Sequence, residues 1–93
     1  IKMADPIKVV GTELDLGTSA NTVHGGSLIR VVNTSADTDV LITKRDSTNT
    51  VLGTITIGHH TTNYSTEHLI KASTDTLEAN IALLIKATPI GYF

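Results

Sequence analysis

The chain has no cysteine and no tryptophan, two prolines, and three aromatic residues, Tyr64, Tyr92 and Phe93. Lack of cysteine removes the disulfide framework on which small secreted folds depend, and no Cys/His spacing suggests a zinc staple. It fits synthesis in a reducing cytoplasm. Scarcity of aromatics leaves the interior to Ile, Val, Leu and Ala, and it counts against carbohydrate recognition through exposed aromatic platforms. Charge of one sign is also missing. Seven Lys and Arg are scattered against nine Asp and Glu, for a formal net charge of −2. Binding a phosphate backbone needs a clustered basic excess, so no nucleic-acid partner is expected. The longest uninterrupted apolar run, Ile81-Ala82-Leu83-Leu84-Ile85, falls far short of the ~20 residues that span a bilayer, so no membrane partner is expected either. The opening, Ile1-Lys2-Met3-Ala4-Asp5-Pro6, carries no charged-then-apolar signal pattern, and Met3 is expected to be the natural initiator.

What is abundant is branching at Cβ. Sixteen Thr, ten Ile and seven Val make up more than a third of the 93 residues. These side chains crowd a helical turn but pack well on a pleated, half-buried surface. The chain therefore reads as one all-β domain, 1–93. A domain this short buries only somewhat over ~60% of its unfolded surface. A thin aliphatic core with no staple gains from contact with copies of itself or with a larger assembly.

Short extended runs recur about every ten residues. Pro6–Gly11 is the first, with proline at its entrance suited to a strand start or an edge. Gly17 to Ser27 is rich in turn residues, with Gly25-Gly26 its strongest breaker. Leu28–Asn33 is apolar on both faces. Val40–Arg45 closes on Asp46-Ser47-Thr48-Asn49, whose side chains bond their own backbone, and reads as part of a hairpin. In Thr50–Ile57, Val51, Ile55 and Ile57 share one face while Thr54 and Thr56 take the other. Tyr64 to Ala72 is again extended, with His68, Ile70 and Ala72 opposite Leu69 and Lys71. Residues 73–80 hold the one candidate helical turn, because Asp75 followed by Glu78 resembles a helix start. Ile81–Thr88 is expected as the last strand, with Ile81, Leu83, Ile85 and Ala87 inward and Pro89 at an edge or bulge. This spacing predicts a small antiparallel β-sandwich or jelly roll of about six to eight strands with little or no helix, a short N-terminal arm (1–6) and a C-terminal tail (89–93).

No catalytic constellation accompanies this frame. Four histidines, His24, His59, His60 and His68, invite a metal reading, but His59 and His60 are adjacent on an extended segment and point apart. Asp37, Asp39 and Asp75 lack the further ligands and central glycine of an EF-hand loop, so turn and capping roles fit them better. No G-x-S-x-G elbow and no phosphate-binding glycine loop occur, and a domain of this size has little room to carve a cleft. No enzyme activity, metal, cofactor or small-molecule substrate is expected. The uncharged Thr, Ser and Asn faces give a stiff exterior suited to a particle, a fibre or an adhesion domain.

The segments Gly53-Thr54-Ile55-Thr56-Ile57-Gly58, Lys71-Ala72-Ser73-Thr74-Asp75-Thr76-Leu77-Glu78-Ala79 and Lys86-Ala87-Thr88-Pro89-Ile90-Gly91-Tyr92 follow one another in that order. This nearly C-terminal half, with the opening Met3–Gly11, resembles small virion proteins of marine tailed bacteriophages. In that family a strand, a Thr-Asp-Thr-Leu-type turn and a closing strand ending in Ala-Thr-Pro recur, often with a proline where this chain has Ser73. The resemblance implies an all-β protein displayed in many copies on a capsid or tail, with no catalysis; the capsid surface of a virion is the expected location, after synthesis in the host cytoplasm. A head decoration or cement protein is expected, attached as an oligomer such as a trimer to major capsid subunits. The expected contacts are Leu41, Leu52 and Leu84 on leftover strand faces, Met3, Ile7 and Val9 in an N-terminal arm, and Tyr92 and Phe93 at the C-terminal end. The alternative is a fibre, knob or tail-associated host-recognition module. A cellular surface or pilus subunit is a third reading and predicts a secretion signal.

Overall fold

The computed structural model describes residues 7–61 and 65–92, the Tyr92 side chain excepted. The regular structure among them is eight strands: β1 (Ile7–Val9), β2 (Leu14–Leu16), β3 (Leu28–Asn33), β4 (Val40–Arg45), β5 (Val51–Ile57), β6 (Thr66–Ile70), β7 (Thr76–Ala79) and β8 (Ile85–Tyr92). All pairings are antiparallel and divide into two sheets. Sheet 1 has the order β1-β8-β3-β6, with β2 also paired to β8, and sheet 2 the order β5-β4-β7. The protein is a small all-β sandwich, as the β-branched composition predicts.

The period of two explains which residues meet in the middle. From sheet 1, Leu16, Ile29, Val31, Ile85 and Ala87 turn inward; from sheet 2, Val40, Ile42, Ile57, Leu77 and Ala79 meet them, and all are buried. Each full-sized aliphatic removed from water in this way contributes about 1.5–3 kcal/mol. Val23 joins this core from the loop after β2. Its φ is 51°, strained for a β-branched residue, and His24 and Gly25 follow in the same left-handed region. Asn21 Oδ1 accepts from the Val23 backbone N–H at 2.8 Å, and Gly25 and Gly26 donate back to Thr22 and Val23, which holds the tight loop in place.

β8 is the strand on which sheet 1 is assembled. Its near half pairs with β2 (Leu16 opposite Ile85) and its far half with β1 (Ile7 opposite Tyr92), while β3 flanks it on the other side. Pro89 therefore sits inside a central strand, where a proline ordinarily costs a ladder bond. Its carbonyl accepts from the Val10 N–H at 2.9 Å, so its backbone faces the β1/β2 side. The absent N–H falls opposite Val10, just past the end of β1, so the ladder forgoes its return bond at that one position. The expected tail 89–93 is thus, as far as Tyr92, the middle of a sheet.

Two further expectations are corrected. Residues 73–80 are no helical turn: Asp75 N–H donates to the Ala72 carbonyl at 3.0 Å, Asp75 Oδ2 accepts from Ala72 N–H at 3.1 Å, and the chain then enters β7. The alternation that buries Leu77 and Ala79 against sheet 1 outweighs the capping pattern. Ile81–Leu84 is not the start of the last strand but a turn, with Leu83 at φ 69° and 70% exposed. Strand pairing begins only at Ile85. Leu14-Asp15-Leu16, not expected as a strand, forms β2. The arm 1–6, including Met3, and Phe93 lie outside the described residues.

Candidate interaction surface

The two outward faces of the sandwich differ in chemistry. On sheet 2, the register sets Leu41 opposite Thr56 and Thr43 between Thr54 and Glu78, with Arg45 beside Thr76. Arg45 Nε donates to Glu78 Oε1, and Arg45 also reaches the Asn49 carbonyl at 3.2 Å. This is mainly a ladder of hydroxyls and an ion pair, compatible with water, with Leu41 and Val51 as separate apolar residues toward its two ends.

Sheet 1 presents three cross-strand rows on its outer face. Val9 lies opposite Ile90 and Leu28 opposite Ile70; Ile90 is one step beyond the Pro89–Ile29 pair and so stands beside Leu28. An apolar row, Val9-Ile90-Leu28-Ile70, thus crosses all four strands. The second row is polar: Glu13, whose Oε2 accepts from Thr88 Oγ1 at 3.3 Å, then Thr88, Arg30 and His68. The third holds the Asp15–Lys86 ion pair, Val32 and Thr66. Asp15 beside the Lys86 ammonium raises its pKa above the ordinary lysine value. Within the apolar row, Ile90 is 5% exposed while the end members Val9 and Ile70 stand 71% and 77% open.

The sandwich is also closed on one side and open on the other. On the closed side Ala79 N–H donates to the Gly17 carbonyl and Leu77 exchanges both backbone bonds with Asn21, at 2.8–3.0 Å. On the open side the edges of β5 and β6 leave between them a cleft of about 350 Å³, lined by Ile42, Leu52, Ile55, Leu69, Ile70 and Leu77. Lys44 crosses it, its Nζ donating to the Ile70 carbonyl at 3.3 Å. Leu52 stands there because β5 carries a bulge: Lys44 opposes Gly53 and Arg45 opposes Val51, so Leu52 is the extra residue.

Beyond the end of the cleft lies Lys71, 3% exposed, with Nζ donating to the carbonyls of Ala72 and Ser73 at 3.2 and 3.5 Å. Burial lowers its pKa below the ordinary value, the Asp75 carboxylate acts against that, and Lys44 adds to it.

The residues expected as contacts are dispersed. Ile7 and Val9 lie on β1 at one edge of sheet 1, Leu41 on the outer face of sheet 2, and Leu52 at the cleft. Leu84 packs, half-buried, against the core from the turn before β8. Sequence reasoning missed Leu28 and Ile70. Their signal was present as apolar residues on the solvent-facing positions of an alternating strand, but it requires knowing which face is outward.

The histidines do not converge. His59 Nδ1 lies 2.7 Å from Asp39 Oδ1, which also accepts the His59 N–H at 3.1 Å, and these bonds lower the Asp39 pKa. His68 is on the outer face of sheet 1. Among the described residues no three His, Asp or Glu side chains are gathered as a metal site would need. Asp46 accepts from Thr48 N–H, Thr48 Oγ1 and Thr50 N–H at 2.8–2.9 Å, a turn role that lowers its pKa. No family model, curated protein or solved structure matches the chain.

Proposed function

We propose that this protein is a structural component of a bacteriophage virion, most specifically a head decoration or cement protein that binds major capsid subunits in many copies. The observation that carries the reading is the difference between the two outer faces. Sheet 2 turns threonines and an ion pair outward, whereas sheet 1 lays an apolar row across its full width. A free-standing sandwich solvates both faces. A continuous apolar row on one outer face only, edged by polar rows, suits a protein lying between a protein lattice and water.

Binding in this reading is distributed over a surface, and no catalytic step is assigned to any residue. The resemblance of 53–92 to virion proteins of marine tailed phages adds the assembly. The test is the copy number in purified particles, by quantitative mass spectrometry. Hundreds of copies per particle, lost together with capsid stability, support the cement role; tens or fewer identify a fibre or tail component instead.

A further inference from the structure

We infer that copies of this chain assemble head to tail, the β1 edge of one copy adding to the β6 edge of the next so that sheet 1 continues from copy to copy. This contact is between copies and stands whether or not their common partner is a capsid.

Both edges aim backbone groups outward, and among the described residues no strand pairs with them on that side; the Ile70 carbonyl takes one bond from Lys44 Nζ and keeps a second lone pair. In β6, Lys71 N–H donates to the Ser27 carbonyl and the Ser65 carbonyl accepts from Asn33 N–H, so the odd-numbered residues face β3. Alternation then turns the backbones of Thr66, His68 and Ile70 to the open side. In β1, Val10 N–H donates to the Pro89 carbonyl, which leaves the backbones of Ile7 and Val9 facing away from β8. An uncovered edge of this kind is a template for a further strand.

The occupant follows from three observations. First, the order β1-β8-β3-β6 is an even number of antiparallel strands. A copy placed alongside in the same orientation therefore presents β1 antiparallel to β6 without being turned over. Second, the apolar row ends in its two most exposed members, Val9 at the β1 edge and Ile70 at the β6 edge. Each lacks a neighbour on the side where the other copy would supply one, and their outward-facing backbones make them a hydrogen-bonded pair. Third, that register sets Val10 opposite Leu69. Val10 is 60% exposed and points away from the Ile7/Val9 face, so it would enter the cleft formed by Leu52, Ile55, Leu69 and Leu77. The incoming edge thus fills the open side of the sandwich.

Such a contact uses two different surfaces, so it closes into a ring or runs on as a filament. The absence of cysteine makes the test clean. Hydrogen-bonded antiparallel pairs hold their Cα atoms about 5.5 Å apart, within the span of a disulfide. Under oxidation, a mixture of Val9→Cys and Ile70→Cys proteins is expected to give a linked heterodimer, and the double variant a ladder or ring. Sedimentation of Val9→Lys and of Ile70→Lys is expected to show association weakened by at least roughly tenfold toward monomer, equivalent to ~1.4 kcal/mol, with thermal melting at dilutions where all are monomeric unchanged because both sites are exposed there. Self-linking of either single cysteine variant would mean a two-fold contact and overturn the inference. So would a 9.8 kDa monomer of the unaltered chain at all concentrations up to about 1 mM, or lysine variants that associate as the unaltered chain does. None of these outcomes bears on copy number in particles, so the two readings fail separately.

Discussion

Asn33, at the end of β3 in sheet 1, donates from Nδ2 to the carbonyl of Ile57, at the end of β5 in sheet 2, at 2.9 Å across 24 residues of sequence. The same amide donates to the Thr38 carbonyl at 2.9 Å, and its Oδ1 accepts from Ser35 N–H at 2.9 Å. A fully buried side chain thus pins the crossover between the sheets to both of them. Asn33→Ala removes the side-chain donor from the Ile57 carbonyl and from the half-buried Thr38 carbonyl, and is expected to cost about 1–3 kcal/mol. Urea unfolding measures it; a loss below about 0.5 kcal/mol would mean that water replaces the amide without penalty.

Gly26 is required for space. A Cβ there would meet Ile29 Cδ1 and Pro89 Cβ at 2.8 Å, and the Val23 carbonyl at 3.3 Å. Gly26→Ala is expected to destabilise by about 1–3 kcal/mol through overpacking. Gly17, with nothing within 4 Å of its would-be Cβ, is the control; Gly17→Ala is expected to be neutral or to stabilise by up to about 1 kcal/mol. Paired thermal melts of the two variants check the contrast.

Lys71 gives a pH dependence of defined sign. Its pKa is lowered in the folded protein, so the unfolded chain holds the proton more tightly. From this group, stability rises with pH from the depressed folded value up to the ordinary 10.5, and below that interval the charge is a steady cost. Lys71→Met is expected to change stability at neutral pH by no more than about 1 kcal/mol and to flatten that alkaline rise. Denaturant unfolding between neutral pH and the upper limit shows it as a narrowing difference between the two proteins.

The outer faces are separable by substitution. Leu28→Asp places a charge in the apolar row of sheet 1, and Thr54→Asp places one in the hydroxyl ladder of sheet 2. If sheet 1 faces the lattice, Leu28→Asp reduces occupancy on capsids stripped of the protein by roughly tenfold or more, the effect of ~1.4 kcal/mol, while Thr54→Asp binds as the unaltered chain does. Equal binding by both would turn attention to the edges.

The strands that the sequence reveals are those whose alternation runs long enough to be seen. Ile29-Val31 and Ile55-Ile57 declare their inner faces directly, and β3, β4, β5 and β6 fall within the expected runs. β2 is three residues long and stopped by Gly17, too short for a period to emerge. The helix signal at Asp75 and Glu78 misleads because an acidic residue at a β-turn and one at a helix cap look alike; only burial of Leu77 and Ala79 decides between them. The surface was legible in part. Val9 and Leu52 are visible as apolar strand residues, but the row that joins Val9 to Ile70 depends on bringing β1 and β6 to opposite ends of one sheet, which no local pattern encodes.

Because β8 is gripped by β1, β2 and β3 at once, β1 and β2, which pair with no other strand, wait for it. On the ribosome, β1 and β2 emerge long before the residues they pair with, and β3 can meet only β6 until Ile85 onward is synthesised. The nascent chain therefore passes through a stage in which β1 and β2 have no strand to pair with and β3 lacks its neighbour on one side. Completion of sheet 1 is then a late event governed by loop closure over more than half of the described residues.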